Sequence, residues 1–190
     1  MRKTALSLLL ILPFSALFSQ KLTDVSARWS DSFAEWVLFS TADSSASDNE
    51  PKPEEIGRLK LRWPDRDLWT EWDIECEDWR GTIRQKWDNE PDNWELRANG
   101  KIITMQTRWT GDFSEWKITS DRQQLILKSR YASPEEWLVK SGDSGRFYMY
   151  TLYRGDARDW AVEDDLGPEI GREMRMALVF TVLYNSTPNK

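Results

Sequence analysis

Five times in this chain a basic residue and an aromatic are followed, six to nine residues on, by a polar residue and a second aromatic. The copies are Arg28-Trp29 with Glu35-Trp36, Arg62-Trp63 with Glu71-Trp72, and Lys86-Trp87 with Asn93-Trp94. Arg108-Trp109 with Glu115-Trp116 and Arg130-Tyr131 with Glu136-Trp137 follow, and Tyr153 with Asp159-Trp160 makes a weaker sixth. The first aromatics are 34, 24, 22, 22 and 22 residues apart. A repeat of this length is one supersecondary unit that cannot bury its apolar face alone, so the fold must stack or close the units on one another.

Each copy has the grammar of a hairpin. Two residues past the first aromatic stand Asp31, Asp65, Asn89, Gly111, Ser133 and Gly155, all turn formers. Two residues past the second stand Leu38, Ile74, Leu96, Ile118, Val139 and Val162. Four residues before the first stand Val25, Leu59, Ile83, Met105, Leu127 and Met149. Apolar positions therefore recur with period two on both sides of each turn, the mark of a half-buried strand. Asn99-Gly100, Ser120-Asp121 and Ser141 to Gly145 are turn signals between copies. Six hairpins make a twelve-strand antiparallel meander, mainly β. The long first interval contains 41–57, rich in Ser, Asp, Glu and Pro, and reads as an acidic loop insertion. The expected register sets the two aromatics of each copy facing each other on the buried side. The flanking Arg or Lys and Glu then fall on the solvent side as diagonal ion pairs.

After the sixth copy the pattern changes. Gly167-Pro168 opens a segment whose residues from Met174 to Tyr184 are nearly all apolar. A helix over 167–184 that is apolar all round has to be buried; a buried thirteenth strand is the alternative, because Val179, Thr181 and Val182 favour strands. Twelve strands close into a barrel too wide for their own side chains to fill. The simplest closed solution is a barrel wrapped around that C-terminal segment as a core helix, one domain over 20–190.

The chain resembles the tubby-like superfamily, which includes the LURP-one-related proteins and the phospholipid scramblases. Two sets of residues carry the likeness. One is the repeat unit as it stands in Arg108-Trp109-Thr110-Gly111-Asp112-Phe113-Ser114-Glu115-Trp116-Lys117-Ile118. The other is the ending, Asp159-Trp160-Ala161-Val162, then Asp164-Asp165-Leu166, then the apolar segment. The resemblance implies a twelve-strand barrel enclosing an apolar C-terminal helix. It transfers no functional residue. The chain lacks a cysteine-rich stretch and an evident calcium-binding acidic motif, which puts scramblase activity in doubt, and its acidity argues against carrying over phosphoinositide binding.

The ends and the composition narrow the function. Arg2 and Lys3, the apolar run Ala5 to Phe18 and Ser19 have the order of a secretory signal peptide over 1–19. The expected location is therefore exported: periplasmic, cell-surface or secreted. With no His there is no imidazole base or ligand, and with one Cys there is no internal disulfide and no Cys-rich zinc site. No catalytic set, metal or cofactor is expected. A net charge of −6 disfavours nucleic acid. Cys76 sits between Glu75 and Glu77, whose charges raise a thiol's pKa and keep it unreactive. Asn185-Ser186-Thr187 matches a glycosylation acceptor. The chain is not expected to span a membrane, because the apolar segment and the strands are both short for it.

Trp69 and Trp79 stand outside the repeat as it was just laid out, each predicted in a turn beside carboxylates and Arg. They are the candidate ligand-binding residues, with Phe33 and Phe113 at loop positions of copies one and four. The expected function is a non-enzymatic exported barrel that binds a lipid, a glycan or an envelope protein through loops at one end. A structural or assembly component of the envelope is the first alternative, and a carboxylate-based hydrolase the second.

Overall fold

A computed structural model describes residues 21–41, 53–66, 68–76, 78–141 and 145–188. The predicted signal peptide and residues 42–52 of the predicted insertion lie outside these. Twelve strands run in chain order: β1 (Leu22–Trp29), β2 (Ser32–Thr41), β3 (Pro53–Trp63), β4 (Leu68–Cys76), β5 (Arg80–Gln85) and β6 (Asn93–Ala98). Then come β7 (Lys101–Trp109), β8 (Asp112–Thr119), β9 (Gln124–Ser129), β10 (Glu136–Ser141), β11 (Gly145–Tyr153) and β12 (Asp156–Asp164). Every strand pairs antiparallel with its sequence neighbours, and β1 pairs with β12, so the sheet is a closed barrel. One helix, α1 (Arg172–Ser186), follows. The expected meander, closure and C-terminal helix are all present. Pairing begins earlier than predicted after the insertion: Pro53, Glu54 and Glu55 already oppose Thr41, Ser40 and Phe39.

One register runs through all six hairpins. Val25 opposes Leu38, Leu59 opposes Ile74, Ile83 opposes Leu96, Met105 opposes Ile118, Leu127 opposes Val139 and Met149 opposes Val162. These are the two aliphatic series read from the sequence, and all twelve residues are buried. The second aromatic also pairs outward to the next hairpin: Trp36 with Leu59, Trp72 with Ile83, Trp94 with Met105, Trp116 with Leu127, Trp137 with Met149, and Trp160 with Val25 across the seam. Six buried indoles thus alternate with six aliphatics around the inside of the wall.

The expected facing of the two aromatics does not occur. The second aromatic opposes the residue two before the first: Ala27, Leu61, Gln85, Thr107, Ser129 and Thr151. Four of these six are small, which leaves room inside the wall for an indole. The first aromatics, Trp29, Trp63, Trp87, Trp109, Tyr131 and Tyr153, are pushed past the end of the packed region and are 43–81% exposed. Register shifts between Ala27 and Trp29, Leu61 and Trp63, Thr107 and Trp109, and Thr151 and Tyr153 mark where the hairpin tips bend away. At the tips the turn residues Asn89, Gly111 and Gly155 adopt left-handed φ of 64°, 80° and 76°, as their chemistry anticipates.

The helix enters the barrel from the end opposite these tips. Its first predicted turn is a loop: Pro168 to Gly171 precede it, with Ile170 N–H donating to Gly167 O at 3.1 Å. Met174 and the residues from Met176 to Leu183 are buried, and Phe180 meets Trp72 and Trp94 edge-on at 6.0 and 5.0 Å. Burial of Glu173 alone would disfavour its charge, but Asn99 Nδ2 donates to it at 3.1 Å and Lys101 Nζ lies at 3.0 Å, so its carboxyl is held below its ordinary range. Asn99-Gly100 is the predicted two-residue turn, with Ala98 opposite Lys101. Arg175 gathers the connection to the helix: Nε donates to Asp164 at 2.6 Å and Nη2 to Leu166 O at 2.8 Å. At the far end Ser186 accepts from Trp137 Nε1 at 2.9 Å and donates to Pro134 O. Asn185 bonds the Thr181 carbonyl within α1 and is therefore in a helix, not the surface loop that a glycosylation acceptor would suggest.

Candidate functional site

The six hairpin tips, at β1–β2, β3–β4, β5–β6, β7–β8, β9–β10 and β11–β12, all lie at one end of the barrel. Each carries its first aromatic exposed, so the end is rimmed by four Trp and two Tyr, and the β7–β8 tip adds Phe113. A large exposed apolar ring is informative in a way that scattered apolar residues are not. Leu68 and Leu152, exposed at the same end, extend it.

The rings are held in place by charge. A guanidinium or ammonium lies over the face of five of them: Arg28 over Trp29 at 5.5 Å, Arg66 over Trp63 at 5.1 Å, Lys86 over Trp87 at 5.9 Å, Arg108 over Trp109 at 5.8 Å and Arg130 over Tyr131 at 4.9 Å. The predicted diagonal ion pairs back three of these cations, Arg28, Arg108 and Arg130; in copy two the pair is made by Arg62 and the stacking by Arg66. Arg28 reaches Glu35 at 3.5 Å, Arg62 reaches Glu71 at 3.3 Å, Arg130 reaches Glu136 at 3.3 Å, and Arg108 pairs with Glu115. Glu115 is also bound by Lys128 at 2.9 Å, and the Arg108 hydrogen bond leads the causes that hold its carboxyl below the ordinary range. Trp29 and Trp63 donate Nε1–H to Glu35 and Glu71 at 3.3 and 3.2 Å. The basic-aromatic…Glu-aromatic motif therefore positions an exposed ring on the outside while it buries a second ring within.

A second tier lies just inside the rim. The indole N–H of five of the six second Trp residues donates to the carbonyl three residues before it: Trp72 to Trp69, Trp94 to Pro91, Trp116 to Phe113, Trp137 to Pro134 and Trp160 to Ala157, at 2.8–3.4 Å. Where that residue is aromatic, its ring lies against the indole: Phe33 on Trp36 at 5.7 Å, Trp69 on Trp72 at 5.7 Å and Phe113 on Trp116 at 6.0 Å. Trp69 is thus in frame, within strand β4 and half-buried, and not in the turn where the sequence reading set it. Phe33, Trp69 and Phe113 occupy one equivalent position around the hairpin end.

Trp79 is elsewhere. It lies at the helix-entry end, buried, with Arg172 over its ring at 5.6 Å and Arg172 bonded to Asp78. It closes that mouth of the barrel under the start of α1. Nearby Cys76 is part-buried, and burial, more than the Asp78 charge, pushes its thiol up to about 11. Neither residue joins the rim.

The exposed first aromatics were absent from the sequence-derived set. The signal for them lies two residues earlier, in small Ala27, Thr107, Ser129 and Thr151, which fit opposite an indole better than a second aromatic does.

Two of the clefts on the described surface bear on the site. The larger, about 580 Å³, lies on the wall near the helix-entry end among Asp73, Glu75, Arg80, Arg97 and Lys101. The second, about 460 Å³, lies at the rim between the β5–β6 loop and the β7–β8 turn. Asn89, Glu90, Pro91, Asp92, Asn93, Gln106, Thr110, Gly111 and Phe113 line it. Its loop wall is tied down by backbone bonds from Glu90 N to Trp87 O and Asn93 N to Glu90 O, both 3.2 Å, and from Thr107 N to Asp92 O at 3.0 Å. Among the described residues no group of three or more His, Cys, Asp or Glu is placed to hold a metal ion.

No protein-family model, curated protein or solved structure matches this chain.

Proposed function

We propose that this protein is an exported, non-enzymatic barrel that binds a partner through the aromatic rim of its hairpin end. The observation that carries the reading is the set of six exposed aromatics at equivalent positions on one end. Aromatic side chains supply large, stiff contact area at low entropic cost, which is why they concentrate at binding surfaces. The stacked cations, three of them paired with a carboxylate, fix the rings before a partner arrives, so less ordering is lost on binding. The carboxylates of Glu35, Glu71, Glu115 and Glu136 are engaged by guanidinium groups, which suits scaffolding more than general acid or base work. Export rests on the order of basic, apolar and small residues at the N-terminus. Strands whose outward positions carry Arg–Glu pairs suit water on the outside, whereas a bilayer-spanning barrel presents an apolar band there. The apolar helix inside a closed twelve-strand wall supports kinship with the tubby-like superfamily.

The test compares the chain lacking its first 19 residues with a variant in which all six first aromatics are Ser. Three probes are used: phosphatidylcholine vesicles, an array of neutral glycans, and an envelope extract passed over the immobilised protein. At least one class is expected to bind the unmodified chain and to be lost in the variant at unchanged melting temperature. Equal binding by both, or no binding by the unmodified chain, overturns the reading.

A further inference from the structure

We infer that the rim cleft between the β5–β6 loop and the β7–β8 turn is a binding subsite for an uncharged oligosaccharide. The inference rests on the rim reading and narrows it to one class of ligand.

The cleft's chemistry selects that class. Glu90 and Asp92 supply carboxylate acceptors, Asn89, Asn93 and Gln106 supply carboxamides that both donate and accept, and Phe113 supplies an aromatic face. No Lys or Arg lines the cleft itself, and the flanking Lys86 and Arg108 are taken up over the rings of Trp87 and Trp109 at 5.9 and 5.8 Å, so a phosphate or an acidic glycan would enter against two negative charges. Sugar hydroxyls donate to carboxylates and exchange hydrogen bonds with carboxamides, while the C–H face of a pyranose packs on an aromatic ring. The volume, about 460 Å³, is that of a small-ligand site.

The rim extends the subsite on both sides. Trp87 and Trp109 open the two turns that form the cleft walls, and both are more than half exposed. Trp87 follows β5 and Trp109 ends β7, with β6 alone between them, so two inter-strand steps of ~5 Å set the platforms roughly 10 Å apart. That is a span two linked pyranose rings can bridge. The loop is also preformed by the backbone bonds given above, so a ligand meets a fixed wall.

The experiment is calorimetric titration of the chain lacking its first 19 residues with cellohexaose, xylohexaose, maltohexaose and chitohexaose, and with an oligo-arginine peptide as the cationic alternative. Cleft variants are Glu90→Ala, Trp109→Ala and Phe113→Ala. The control is Ile102→Ala, an exposed residue of the wall near the helix-entry end and outside the rim. Glu90 and Trp109 are exposed, so they keep the test alive if Phe113→Ala lowers the melting temperature. At least one hexasaccharide is expected to bind, at least tenfold more weakly in each cleft variant and unchanged in the control. Hexasaccharide binding that the cleft variants leave intact and the six-site rim variant abolishes overturns the subsite and keeps the rim reading. So does binding of the peptide or of vesicles, but of no sugar, that is lost in the six-site rim variant. If the rim variant alters no binding at all, both readings fall.

Discussion

Trp109 and Trp116 stand seven residues apart in one hairpin and do opposite work. Trp116 is 1% exposed and Trp109 63%. Trp116→Ala removes a buried indole and its hydrogen bond to Phe113 O, and should cost about 3–5 kcal/mol in urea unfolding. Trp109→Ala should stay within ~1 kcal/mol, since it loses only an exposed face and a cation–π contact. Equal costs would show that the assignment of inner and outer rings is reversed. Glu173 gives a second residue-scale expectation. Its carboxyl is held below its ordinary value in the fold, so its contribution is present above the unfolded value of about 4.3 and is lost as pH falls through the folded one. Urea midpoints should drop as acid enters that window. Glu173→Gln should lower stability at neutral pH and flatten the acid limb.

At the scale of elements, α1 is what lets twelve strands close. Without an apolar rod the inner faces of a wall this wide would meet water. Removing Leu166 to Lys190 should abolish cooperative thermal unfolding; a truncated chain that melts as sharply as the full one would refute the enclosed helix. The hairpins and the helix were legible because their signals are local. Period-two aliphatics such as Val25 and Leu38, and a turn such as Asn99-Gly100, need no knowledge of the rest of the molecule. Two things were not legible. The register within a hairpin depends on how an indole fits against the opposite strand, which is a packing question, and spacing alone suggested that Trp29 and Trp36 face each other. The role of Arg175 depends on where the loop 166–170 folds, which no local pattern states. The same limit split the candidate site: Phe33, Trp69 and Phe113 lie at the hairpin end, each on its own indole and at separate points around the wall, while Trp79, similar to Trp69 in its flanking charges, serves the opposite mouth.

For the whole molecule the twelve Trp residues fall into populations. Trp29, Trp63, Trp87 and Trp109 are exposed, Trp69 is half-buried, and the other seven are buried. Acrylamide should therefore quench the native fluorescence in two phases, with the accessible phase removed by Ser at the four exposed positions. A single phase would contradict the separation of rim and core. The abundance of Trp is thus a sum of two unlike demands, one from packing and one from the surface. The constant register has a further consequence. Pairing is settled two residues inside each first aromatic, and the tips beyond differ freely, from the two-residue turn at Ser30-Asp31 to the longer loop between Lys86 and Asp92. Whatever lies outward of that line can be lengthened, shortened or exchanged without disturbing the wall. The hairpin end is therefore a site of evolvability, where six short segments can be rewritten independently to meet a new partner while the barrel beneath them stays the same.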